Sequence, residues 1–176
     1  MELRHHRLDD LDQVRPILSA IYAEVHPADP DMPFRSVERF EQRLAGHASG
    51  NDWHAVIAYD QDRPVGFVYA APLAPTSKWW SSMLTELPEG YVDETGRRTL
   101  ALFEIMLLDT HRGRGLSHRL HEALLAARTE ERVTLLVDPT HPSVARLYEE
   151  WGYKRVGDQQ PFPDAPVFTV MVRELS

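Results

Sequence analysis

The alternation of apolar and polar residues divides the chain into short strands and amphipathic helices. Glu2–His6 reads as a first strand. Leu11, Val14, Leu18, Ile21 and Tyr22 recur at helical spacing and predict a helix to about Val25, with Asp9 or Asp10 placed to cap it. Pro27, Pro30 and Pro33 make the segment His26–Phe34 a loop. Ser36 stands as an N-cap for a helix over Val37–Ala45, with Gly46 placed to stop it. Trp53–Tyr59 and Pro64–Ala71, joined by Asp60–Arg63, have the spacing of a β-hairpin.

The stretch 72–98 breaks the pattern. It holds Pro72, Pro75 and Pro88, the adjacent Trp79 and Trp80, and a turn at Glu94–Gly96. An irregular stretch this long inside a compact domain is functional or disordered, and the tryptophans favour an ordered insertion. Thr99–Leu108 is a nearly continuous apolar run, as expected of a strand buried on both faces. A glycine-rich turn leads into a helix from about Gly115 to Arg128, with Leu116, Leu120, Leu124 and Ala127 on its apolar side. Val133–Val137 is a buried strand, Ser143–Trp151 a helix stopped by Gly152, and Tyr153–Val156 and Val167–Val172 are closing strands. The pattern is that of a mixed α/β chain.

A length of 176 residues suits a single domain spanning 1–176, with 72–98 as an insertion. The net charge of −8 argues against nucleic-acid binding, which needs clustered Lys and Arg, and tolerates a cationic substrate. The absence of cysteine excludes disulfides, thiolate metal sites and a Cys nucleophile. No apolar run approaches the roughly 20 residues that span a bilayer, and the N-terminal MELRHHRLDDLD lacks an apolar leader; the expectation is a cytoplasmic protein without membrane attachment.

The most informative segment runs from Leu107 to Ser117, where a buried strand ends, Gly113 and Gly115 turn the chain, and a helix begins. Free N–H groups at a helix start, reinforced by the helix dipole, form an anion site. The glycines permit close backbone approach and positive φ, and Arg112 and Arg114 add charge at the rim. A plain strand-to-helix turn with solvated arginines is the alternative. The spacing is that of neither a dinucleotide fingerprint nor a P-loop.

Arg112-Gly113-Arg114-Gly115-Leu116-Ser117 resembles the Q/R-x-x-G-x-G/A motif of the GNAT acetyltransferase superfamily, with Ser117 at the last small position. Asp138–Tyr153 resembles that family's second motif, N-x-x-A-x-x-L-Y-x-x-x-G-F: Leu147, Tyr148, Gly152 and Tyr153 match in register, and His141 stands where Asn is common. The resemblance implies a GNAT-like α/β (α+β) fold, a central mixed, mostly antiparallel, twisted sheet of about seven strands flanked by about four helices. It implies acetyl-CoA as acyl donor and no metal. It places the pyrophosphate on the amides of Arg112, Gly113, Arg114, Gly115, Leu116, Ser117 and His118. Pantetheine falls on Ile105, Met106 and Leu107, with His141 and Ser143 near the second motif. Tyr148 then protonates the departing thiolate, chemistry suited to a phenol of pKa near 10 and a thiol near 8.5. The alternative is that Tyr148 only packs with Val144 and Trp151.

Glu104 is the candidate general base. It interrupts the apolar strand Leu100–Met106 on the face shared with Leu102 and Met106, where desolvation raises a carboxyl pKa. The alternative is a structural carboxylate paired with Arg97, Arg98 or a backbone amide. His54 and His111 are weaker candidates, read as surface histidines. Tyr22, His26, Phe34, Trp79, Trp80 and Tyr91 could line an acceptor pocket or form a satellite core, and Phe162–Pro166 could border it.

These features favour an acetyl-CoA-dependent N-acetyltransferase acting on a primary amine of a small molecule. The alternatives are a protein or peptide N-acetyltransferase, an inactive CoA-binding regulatory module, and an α/β interaction protein. A homodimer is compatible with the sequence.

Overall fold

In a computed structural model, residues 1–50 and 52–175 are described. In chain order they form β1 (Glu2–Arg7), α1 (Leu11–Val25), α2 (Val37–His47), β2 (His54–Asp60), β3 (Arg63–Pro72), β4 (Thr99–Leu107), α3 (Leu116–Ala126), β5 (Arg132–Val137), α4 (Pro142–Glu150), β6 (Lys154–Gln159) and β7 (Phe168–Glu174). The seven strands make one sheet in the order β1-β2-β3-β4-β5-β7-β6. Pairing is antiparallel between β1 and β2, β2 and β3, β5 and β7, and β6 and β7, and parallel between β4 and β5. The mixed sheet with four helices is the fold class expected from the sequence. The chain divides into two compact units, Met1–Ala71 with Leu102–Thr129, and Pro72–Ala101 with Glu130–Ser176.

In the first unit, β2 is buried at every residue except Asp60, so both its faces are covered. Leu18 and Tyr22 of α1 meet the core with Phe40 and Leu44 of α2, and the Tyr22 and Phe40 rings stack at 4.2 Å. Leu116, Leu120, His121, Leu124 and Leu125 form the buried side of α3, whereas Ala127 lies past its end and is exposed. Gly66 permits a close approach of β3 and β4: a Cβ there would stand 2.8 Å from the Met106 carbonyl oxygen.

Two helix ends differ from expectation. Asp10 does not cap α1 forward; its carboxylate accepts a hydrogen bond from the Arg7 N–H at 2.9 Å, and a 3-10 turn over Leu8–Asp10 precedes the helix. Ser36 caps α2 as expected, accepting from the Arg39 N–H, but α2 continues through Gly46 to His47. Gly46 lacks the left-handed backbone by which a glycine ends a helix.

In the second unit, the insertion 72–98 is built around a buried ion pair. Arg132 Nη2 lies 3.2 Å from Glu94 Oε1, and each side chain is only 3% exposed. Glu94 also accepts from Trp80 Nε1 at 2.9 Å and from the Thr99 hydroxyl at 2.5 Å. Arg132 donates to the Thr99 hydroxyl and to the Tyr91 carbonyl, and its guanidinium lies over the Tyr91 ring at 4.4 Å. The Trp79 carbonyl accepts from Gln159 Nε2, and a bridge joins Met83 to Gln159 at the end of β6. Trp80 and Tyr91 therefore belong to a local core that holds the insertion. Gly152 ends α4 in the left-handed conformation, φ 93°.

Candidate active site

Residues 102–118 of the first unit carry most of the expected site. Met106 and Leu107 are buried at the end of β4, Ile105 is half-buried, and the Leu108 amide is committed to the Val65 carbonyl. A 3-10 turn over Asp109–His111 follows, and then the glycine turn. Gly113 and Gly115 have φ of 75° and 71°, left-handed values that favour glycine, and a Cβ at either would meet nothing within 4 Å. Gly115 is the N-cap of the 11-residue α3 and supplies no side-chain cap. The first amides of an α-helix have no partner within it, and such free N–H groups suit an anion.

Arg112, Arg114 and His118 are exposed and Ser117 is half-buried. Arg112 pairs with Asp109 at 3.0 Å, and His118 Nε2 lies 3.6 Å from Glu122. His111 is not a surface residue: it is 8% exposed, with Nε2 3.0 Å from Asp60 Oδ2 and Nδ1 2.9 Å from the Thr110 hydroxyl. This partner holds the Asp60 carboxyl below its usual range. His54 is likewise buried, because β2 is covered on both faces; burial pushes its pKa down to about 3, so it is neutral, 2.9 Å from His5 Nδ1.

Glu104 lies in a polar nest that sequence reasoning did not foresee. Its counter-charge is neither Arg97 nor Arg98 but Arg43 of α2, whose Nη2 stands 3.9 Å from Glu104 Oε1. Burial raises the Glu104 pKa to about 7 against the opposing pull of Arg43 and Arg35. Arg43 donates to the Phe34 carbonyl at 2.7 Å and to the Tyr22 hydroxyl at 3.2 Å, and its guanidinium lies over the Phe34 ring at 4.3 Å. His47 Nδ1 is 3.0 Å from the Tyr69 hydroxyl, and the His47 ring stacks on Phe103 at 3.7 Å. Burial drives the His47 pKa to about 3 and the Tyr69 phenol well above its ordinary value, so both are neutral. His26 packs against Tyr22, 4.8 Å between ring centroids, and burial lowers its pKa. Arg43 shares the buried side of α2 with Phe40 and Leu44, a spacing that marks it as inward-facing.

The second motif folds as α4 of the second unit. His141 is its N-cap residue without a side-chain cap, and His141 and Ser143 are exposed. His141 Nε2 lies 3.9 Å from Asp138, whose carboxylate accepts from the Thr140 amide and hydroxyl. Tyr148 is 8% exposed, edge-on to Trp151 at 5.2 Å and to Tyr153 at 5.6 Å. Val144 is 40% exposed. Among the described residues, no group of three or more His, Asp or Glu side chains is arranged to hold a metal ion, and no helix is long and apolar enough to cross a membrane.

The sequence profile of the Acetyltransferase (GNAT) family matches residues 11–153. No curated protein matches the sequence. Among solved structures, the chain is similar to an acetyltransferase from Thermus thermophilus, at 18% identity over 99% of this chain and 98% of that one, TM-score 0.65. It is similar to a ribosomal-protein-alanine N-acetyltransferase from Brucella melitensis, at 18% identity over 99% and 100%, TM-score 0.63. It is also similar to a phosphinothricin acetyltransferase from Sinorhizobium meliloti in complex with AcCoA, at 19% identity over 99% and 88%, TM-score 0.64. The structural likeness establishes the fold, and the profile spans β4, the glycine turn, α3 and α4. The chain belongs to the GNAT acetyltransferase family and is an acyltransferase.

Proposed function

We propose that the chain, working as one domain, transfers the acetyl group of acetyl-CoA directly to a primary amine of a small molecule. The observation that carries this reading is the turn at Arg112–Ser117, with left-handed Gly113 and Gly115 opening α3 directly after the strand that bears Glu104. The pyrophosphate binds the amides of residues 112–118, and pantetheine follows the backbone of Ile105, Met106 and Leu107. His141 and Ser143 contribute at the start of α4.

Glu104 accepts a proton from the acceptor ammonium, and a carboxylate with pKa about 7 is matched to that task near neutrality. The neutral amine attacks the thioester carbonyl and forms the C–N bond. Backbone N–H groups near Leu107 stabilise the tetrahedral oxyanion. The C–S bond then breaks and Tyr148 gives its proton to the departing thiolate; the second proton lost by the acylated nitrogen returns to the Tyr148 phenolate through solvent, leaving the N-acetylated product and free CoA.

A peptide or protein acceptor is the second reading, favoured by the likeness to a structure named as a ribosomal-protein-alanine N-acetyltransferase. The test is free-thiol release from acetyl-CoA with a panel of small amines and N-terminal peptides. Turnover with small amines supports the proposal, turnover with peptides alone selects the second reading, and acetyl-CoA binding without turnover in either arm identifies a non-catalytic module.

A further inference from the structure

Glu104 is a carboxylate within reach of a guanidinium that does not contact it. Arg43 Nη2 stops 3.9 Å from Glu104 Oε1, beyond the roughly 2.7–2.9 Å of a charge-assisted hydrogen bond. The cause is visible in the other partners of Arg43. Nη1 is tied to the Phe34 carbonyl at 2.7 Å, Nη2 to the Tyr22 hydroxyl at 3.2 Å, and the guanidinium plane rests over the Phe34 ring. Arg43 is 7% exposed, so water does not screen it well.

We propose that Arg43 is a positioning residue that the Phe34 carbonyl and the Tyr22 hydroxyl hold at arm's length from Glu104, keeping that carboxylate charged enough to act and free enough to take a proton. The inference rests on the reading of Glu104 as the base. A contact ion pair would quench the carboxylate by stabilising its charged form; with no counter-charge, desolvation alone would keep it protonated at neutral pH. The fork geometry sets the intermediate state. Arginine suits this role because its planar group satisfies two fixed acceptors while presenting charge sideways, which a lysine ammonium cannot reproduce.

The other groups around Glu104 leave this role to Arg43. Arg35, from the 3-10 turn before α2, adds a weaker attraction to the carboxylate. Tyr22 of α1 and Tyr69 of β3 are neutral phenols raised by burial. His47 of α2, bound to Tyr69, is neutral as well, and burial lowers His26 at the end of α1.

The test is the acid limb of the kcat/KM profile for the acceptor, together with a 13C NMR titration of the side-chain carboxyls of glutamate, for the parent, Arg43→Gln, Arg43→Lys and Glu104→Gln. Removing the charge in Arg43→Gln moves the Glu104 titration and the limb up by about one pH unit or more. Arg43→Lys frees the cation to approach the carboxylate, so both move down and the plateau rate falls. Either variant titrating like the parent, or moving the opposite way, overturns the proposal; if Arg43→Gln does not fold, Arg43→Lys decides alone. Glu104→Gln separates the two ideas. An unchanged acid limb there removes Glu104 as base, whereas the NMR titration still reads whether Arg43 governs its charge.

Discussion

His111 Nε2 lies 3.0 Å from Asp60 Oδ2, which ties the residue before the glycine turn to the end of β2. The Thr110 hydroxyl holds the other ring nitrogen, so the imidazole is fixed on both sides. On the proposed reading of the turn, this clamp positions the amides that hold the pyrophosphate. We expect Asp60→Ala to raise the KM for acetyl-CoA several-fold with kcat little changed. Equal losses in kcat and kcat/KM would place the effect in the chemistry instead.

The glycine turn itself carries a backbone requirement. Gly113→Ala and Gly115→Ala each place a side chain at φ above 70°, with no steric clash to confuse the result. Each should cost about 1–2 kcal/mol of stability in urea denaturation, and acetyl-CoA affinity should fall where the added methyl keeps the backbone from a phosphate. Parental stability in both variants would show that the turn is not held as described.

Glu104 links stability to pH. Its folded pKa, raised to about 7, lies above the ordinary value of 4.5, so the folded state holds more protons than the unfolded state between these pH values. Stability from this group is fully present below about pH 4.5 and is lost as pH rises through about 7. Glu104→Gln removes the titration. The melting temperature of the variant relative to the parent should therefore climb from about pH 5 to about pH 8 and level off beyond; a flat difference would mean that Glu104 titrates normally.

Tyr148→Phe keeps the ring contacts with Trp151 and Tyr153 and removes only the hydroxyl. Loss of general-acid assistance should lower kcat about a hundredfold with acetyl-CoA binding intact. Full turnover in this variant would assign Tyr148 to packing alone.

The insertion depends on Glu94. Its removal in Glu94→Ala strands Arg132, 3% exposed, without its counter-charge. Loss of one member of a buried pair costs about 3–5 kcal/mol, and urea denaturation would read this. A change within about 1 kcal/mol would contradict a structural role for the pair.

What could be read from the sequence follows physical range. A helix with a clear period, such as α1, and an apolar run bounded by a turn, such as β2, are legible within a few residues because both signals are local. The glycine turn was legible for the same reason: Gly113, Gly115 and the start of α3 are contiguous. Arg43 was missed because an arginine in an amphipathic helix reads as solvated until the helix face is known. Its alignment with Phe40 and Leu44 was the available signal. His54 and His111 read as surface residues in the sequence because histidine composition carries no burial information. Both are buried through the covering of β2 and the Asp60 clamp, which join residues far apart in the chain. Trp80 and Tyr91 read equally as pocket lining or satellite core until the Glu94–Arg132 pair showed what they surround.

Acyl transfer to a small amine is tested most directly by incubating the protein with acetyl-CoA labelled in its acetyl group and a panel of primary amines, then reading the acceptors by mass spectrometry. A labelled N-acetyl product from a small amine is the predicted result, formed in step with free thiol and far more slowly in Tyr148→Phe and Glu104→Gln. Acetyl-CoA bound at the turn but recovered intact with every amine would contradict it.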